Sequence, residues 1–112
     1  MTTTWYRTQG DVADTIVAQL MSGATAQDLT GVTAVEAHVW PQRGGTTVTL
    51  TAAVTDATNG KVTVQLSGSS SWLNTAVAGP YWIEYQTTWS GGAVLTWPEG
   101  PRDQIIVEAQ GA

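Results

Sequence analysis

The chain has no cysteine. That excludes disulfides, thiolate metal sites and a thiol nucleophile together. Basic residues are scarce: only Arg7, Arg43, Lys61 and Arg102 occur, and they are scattered. Nucleic-acid binding displaces counterions through clusters of Lys and Arg, so this pattern and a formal charge of −5 argue against it. No apolar run approaches the ~18 residues of a membrane-spanning helix. The opening Met1-Thr2-Thr3-Thr4-Trp5 has no basic stretch and no apolar core, so no secretion signal is expected. Charged residues make up 12% of the chain, about half the usual share. A surface so poor in charge suits contact with a glycan or with protein, and is read as one buried in an assembly. Helical periodicity is also missing, since no long segment repeats apolar residues every 3.6 positions.

What is present is β-pattern. The 112 residues fit one domain, 1–112, large enough to bury roughly two-thirds of its unfolded surface. Short alternating runs recur between turn residues. They predict strands over 3–8, 14–21, 35–40, 46–54, 61–66, 81–88, 93–97 and 104–109. In the third, Val35, Ala37 and Val39 alternate with Glu36, His38 and Trp40, which sets a buried face against an outward one. The run 46–54 is rich in β-branched residues that suit a pleated surface, with Val48, Leu50 and either Ala52 or Val54 inward. Val62, Val64 and Leu66, then Tyr81, Ile83 and Tyr85, then Ile105 and Val107 continue the inward set. Asn59-Gly60 and Ser90-Gly91-Gly92 supply turns. The fold class expected is all-β: an immunoglobulin-like antiparallel β-sandwich of seven to nine strands.

The order of several short segments adds a resemblance. Gln9-Gly10-Asp11 precedes the second strand and Asp28-Leu29-Thr30-Gly31 the third. Val35-Glu36-Ala37-His38-Val39, Asp56-Ala57-Thr58-Asn59-Gly60-Lys61-Val62 and Gly79-Pro80-Tyr81-Trp82-Ile83-Glu84-Tyr85 follow, then Ser90-Gly91-Gly92 and Thr96-Trp97-Pro98. Across nearly its whole length the chain resembles the N-terminal immunoglobulin-like domain of phage baseplate upper proteins, the BppU family. The resemblance implies a non-enzymatic part of a virion, made in the bacterial cytoplasm, whose partners are other phage structural proteins. The family's C-terminal extension carries receptor-binding proteins. Here the sequence stops at Ala112, so the expectation keeps the docking role and sets the adaptor role aside. A tail or baseplate part, a minor tail protein and a capsid decoration protein all fit.

Chemistry-bearing residues are few. The single His38 shares an outward face with Glu36 and Trp40 and has no aligned nucleophile in the sequence, so no catalytic residue and no enzyme activity are expected. One His and no Cys also speak against a transition-metal site, and no cofactor is expected. Asp11, Asp14 and Asp28 flank turns and read as turn caps rather than calcium ligands. The six Trp carry more information. Trp72 and Trp97 are expected as core plugs. Trp40 and Trp82 have outward parity, and with Trp5, Tyr6 and Trp89 they are the protein-contact candidates. Homo-oligomers are a further class of partner. So is a cell-surface glycan, because exposed rings on a sandwich also serve carbohydrate-binding modules.

Overall fold

The computed structural model describes residues 3–8, 15–66, 72, 77–98 and 102–108. Ten strand segments form: β1 (Thr4–Thr8), β2 (Thr15–Gln19), β3 (Met21–Ser22), β4 (Thr25–Ala26), β5 (Val32–Pro41), β6 (Val48–Asp56), β7 (Lys61–Gln65), β8 (Gly79–Trp89), β9 (Val94–Trp97) and β10 (Asp103–Glu108). Eight correspond to the expected strands. The two extra are a two-residue ladder, β3–β4, around the Gly23 turn. Gln9-Gly10-Asp11, Asp14, Glu99-Gly100-Pro101 and most of 67–76 lie outside the described residues.

The strands pair in the order β1-β10-β8-β5-β6-β7-β2, with β9 beside β8. β6 is the hinge of the sandwich. Its residues Thr51 and before pair with β5, while Ala52 to Asp56 pair with β7. The sheet therefore folds over on itself, and two layers face each other. β9 and β10 lie end to end along one edge of β8: Tyr85 to Thr88 oppose β9, and Gly79 to Ile83 oppose β10.

One pairing departs from the wholly antiparallel expectation. β1 runs parallel to β10, in register from Thr4↔Gln104 to Thr8↔Glu108. A parallel pair needs a long connection, and here the whole sandwich separates the two strands. Arg7 shares the inward parity of Trp5 and brings the two ends of the sheet together. Its Nη2 donates to Thr15 O on β2 at 3.1 Å and its Nη1 to Tyr6 O at 2.8 Å. The result is a sandwich close to a barrel.

The core fills as strand parity dictates. Ala37, Val39, Leu50, Ile83, Tyr85, Ile105 and Val107 from one layer meet Ile16, Ala18, Val62 and Val64 from the other, all buried. Leu20, Leu29 and Leu66 join them, and the expected plugs Trp72 and Trp97 close the ends. Trp72 meets Tyr81 edge to face at 5.1 Å, and such pairs add to plain area burial. Ala52 and Val54 both pack against this core, where one of them was expected.

A buried polar pair sits between β8 and β10. Asp103 is 8% exposed and its Oδ1 accepts from Thr3 N at 3.0 Å. Burial raises its carboxyl pKa, against the lowering pull of that N–H. The Tyr85 hydroxyl is buried beside this carboxyl, and burial followed by the Asp103 charge pushes its pKa well above the ordinary phenol value. The folded state therefore holds the Asp103 proton more tightly than the unfolded chain does. Its contribution is full below the ordinary carboxylate pKa and is lost as pH rises through the raised folded value. Asp103→Asn keeps an acceptor for Thr3 N–H and removes the ionisation. It is expected to match the parent in acid and to exceed it in urea midpoint at pH 7. Equal pH slopes for parent and variant would show that Asp103 is not the titrating group.

Candidate functional site

Of the side chains singled out above, the outer face of the larger layer gathers Tyr6, Glu36, His38, Trp40 and Trp82. Strand register places Trp40, Trp82, Gln104 and Thr4 in one row across β5, β8, β10 and β1. Neighbouring strands are ~4.8 Å apart, so these side chains stand shoulder to shoulder. The next row holds Pro80, Ile106 and Tyr6, and Gln42 N donates to Pro80 O at 3.1 Å. The row on the other side holds His38 opposite Glu84.

Side-chain bonds fix this surface. Gln42 Nε2 donates to Gln104 Oε1 at 2.8 Å, and Gln104 Nε2 donates to Thr4 Oγ1 at 2.9 Å. The chain of bonds runs from Gln42, just after β5, through Gln104 on β10 to Thr4 on β1. Arg102 lies over Trp40, its guanidinium carbon 5.2 Å from the ring centroid, a cation–π distance. Its Nε is 3.7 Å from Glu84 Oε2. Glu84 Oε1 in turn lies 3.8 Å from His38 Nδ1, and His38 Nε2 is 3.0 Å from Glu36 Oε1. A string of polar side chains, Glu36, His38, Glu84 and Arg102, thus runs to the indole of Trp40. Both imidazole nitrogens of His38 lie within 4 Å of carboxylates.

The contact candidates divide. Trp40 and Trp82 are outward and half-buried, and lie directly opposite each other. Tyr6 is on the same face and 63% exposed. Trp5 and Trp89 instead pack against the core from its margin. Trp5 sits opposite Ile105 on the inward parity. The Trp89 Nε1 donates to Thr87 Oγ1 at 3.0 Å. Sequence reasoning missed Gln42, Gln104 and Arg102. Their roles depend on which strands neighbour which, and local pattern does not carry that.

Beyond the Trp pair, a cleft of about 210 Å³ is lined by Pro41, Arg43, Pro80, Tyr81 and Val77 to Gly79. The Tyr81 hydroxyl is occupied there by Val77 O at 2.7 Å, and burial raises its pKa. Asp28 is a turn cap: its Oδ1 accepts from Thr30 Oγ1 at 2.6 Å and Thr30 N at 2.9 Å, and these bonds lower its pKa. Among the described residues, no group of three His, Asp or Glu side chains is placed to hold a metal ion. Asp11 and Asp14 lie outside those residues. No family model matches the sequence, and no curated protein matches it.

Proposed function

We propose that this chain is a non-enzymatic structural domain of a phage particle that docks on neighbouring virion subunits through the outer face of its larger layer. The observation that carries the docking reading is the register of Trp40 against Trp82, within a surface already fixed by Arg102, Gln42 and Gln104. Trp, Tyr and Arg are the side chains that dominate interface energetics, and holding them in place before contact lowers the ordering cost of association. The phage setting rests on the motif resemblance to baseplate upper proteins. A tail or baseplate part comes first, with a head decoration protein of the same fold as the alternative. A symmetric particle offers many identical sites at fixed spacing, so modest single contacts suffice through avidity.

The amide chain Gln42–Gln104–Thr4 beside two indoles favours a second reading, a carbohydrate-binding module. Planar amides and ring faces are what sugar hydroxyls and C–H faces meet. Quantifying the chain in purified particles separates the two. Stoichiometric copies with the Trp82 face against a neighbour support docking; absence from particles, with polysaccharide binding by the isolated chain, supports the module. For docking, Trp82→Ala is expected to weaken binding about thirtyfold (about 2 kcal/mol) and to cost the fold only about 1 kcal/mol. Unfolding of the variant, with binding lost as a consequence, overturns the assignment of Trp82 to the contact surface.

A further inference from the structure

The sheet has three strand edges without a neighbouring strand among the described residues: β1, β2 and the outer side of β9. Such edges template pairing with other chains unless something blunts them. Two are blunted. β1 carries Arg7, an inward charge whose guanidinium engages Tyr6 O and Thr15 O. β2 has Thr15 O occupied by that same Arg7, and Gln19 bonded through its side chain to Asn59 O at 2.9 Å. Among the described residues, β9 carries no charged side chain and no side-chain bond that covers its outer side. Its register with β8 runs unbroken from Val94 to Trp97, so no bulge twists it away. From Tyr85 to Pro98 the chain holds no charged residue, in a molecule of net charge −5. Val94 and Leu95 are 52% and 46% exposed.

The hydrogen-bond phase of this edge can be worked out. Trp89 N donates to Ala93 O at 2.8 Å, which makes 89/93 a bonded pair. Bonded pairs alternate along an antiparallel ladder, so Leu95 and Trp97 turn their main-chain groups toward β8. The N–H and C=O of Val94 and Thr96 therefore point to the open side. Two copies of this edge complement each other about a two-fold axis. Val94 of each exchanges two bonds with Thr96 of the other, and Leu95 meets Leu95 on the axis in a non-bonded pair, where the side chains come closest. The surface that repels a copy elsewhere on an acidic protein is uncharged here.

We propose that the chain self-associates through β9, as a two-fold antiparallel strand pair centred on Leu95 that joins two sandwiches into one continuous sheet. The surface is separate from the Trp40–Trp82 face, so dimer formation and docking fail independently. Four main-chain bonds and two leucines make a small interface, so the dimer is weak and concentration-dependent.

The test uses the absence of cysteine. Leu95→Cys places one thiol per chain on the axis, where the close Cα spacing of a non-bonded pair permits a disulfide. Under mild oxidation Leu95→Cys is expected to run mostly as a covalent dimer, while Gln19→Cys on the β2 edge stays monomeric. Adding Thr96→Pro removes an open-side N–H without touching the β8 ladder. It is expected to abolish cross-linking with the melting temperature shifted by only a few degrees. Cross-linking of Leu95→Cys at the level of Gln19→Cys overturns the proposal. So does cross-linking that survives Thr96→Pro in a folded variant.

Discussion

Gly60→Ala is expected to destabilise the fold by about 3 kcal/mol or more, the largest effect of a single methyl added to any glycine among the described residues. Gly60 is buried, with φ +68°. A side chain in this left-handed region costs roughly 1 kcal/mol by itself. The rest comes from crowding. A Cβ at Gly60 would stand 2.7 Å from both Leu20 O and Gln27 O and 3.2 Å from Gln27 N. All three are main-chain atoms, not the ends of flexible side chains. Gln27 N donates to Leu20 O at 2.9 Å, Leu20 N to Gly60 O at 2.7 Å and Gly60 N to Ala57 O at 3.1 Å. Leu20 O and Gln27 N are bonded to each other, and the Leu20 N–Gly60 O bond holds that pair against the β6–β7 turn, so relief of the crowding has to strain this link. Gly23→Ala is the control: Gly23 has φ +61°, yet its added Cβ meets nothing within 4 Å. It is expected to cost only the backbone term, about 1 kcal/mol. Equal urea midpoints for the two variants would show that crowding at Gly60 is relieved by a shift of the turn.

The Asn59-Gly60 turn was legible in the sequence, but its second job was not. Turn chemistry identifies a residue that tolerates positive φ. It says nothing of a segment forty residues earlier lying against that position. The same division runs through the whole chain. Val62-Val64-Leu66 and Ile16-Ala18-Leu20 reveal their buried side because a two-residue period is local. The parallel β1–β10 pair, and the Gln42–Gln104 bond across 62 positions, follow from strand order, which no local period encodes. Trp5 was unreadable for another reason. In Thr4-Trp5-Tyr6-Arg7-Thr8 neither parity is aliphatic, so the inward side is undetermined until Ile105 is placed beside it. Trp89 is different. In the structure β8 runs on to Trp89, which keeps the parity of Tyr81, Ile83 and Tyr85 and packs against the core rather than facing outward. The expected strand 81–88 stops one residue short of Trp89, before the turn residues Ser90-Gly91-Gly92. Of the candidate site, the outward parity of Trp40 and Trp82 was legible, whereas their direct opposition needed the β5–β8 register.

Thr87→Val is expected to cost about 2 kcal/mol, despite being nearly isosteric. Thr87 lies on the inward face of β8 with no exposed surface, an unusual place for a hydroxyl among Tyr85, Ile83 and Trp97. Its Oγ1 accepts from Trp97 Nε1 at 3.0 Å and from Trp89 Nε1 at 3.0 Å, and its own proton points to Leu95 O at 3.4 Å. One oxygen therefore satisfies two indole N–H groups. Trp97 is 3% exposed and its N–H has no route to water, so deleting the oxygen leaves a buried donor unpaired, at about 1–3 kcal/mol. Trp89 is half-buried and recovers part of its loss from solvent. Thr87→Ser keeps the oxygen and is expected to cost less than half as much. The discriminating measurement is a double-mutant cycle with Trp97→Phe, which removes the donor. If the indole bond is the cause, Thr87→Val costs much less when Phe already stands at 97. Full additivity would place the cost in packing alone. Because Trp97 fixes β9 to β8, the same substitution is expected to loosen the β9 edge and lower cross-linking at Leu95→Cys. The anchoring of one buried indole then limits how well the open strand is presented to a second copy.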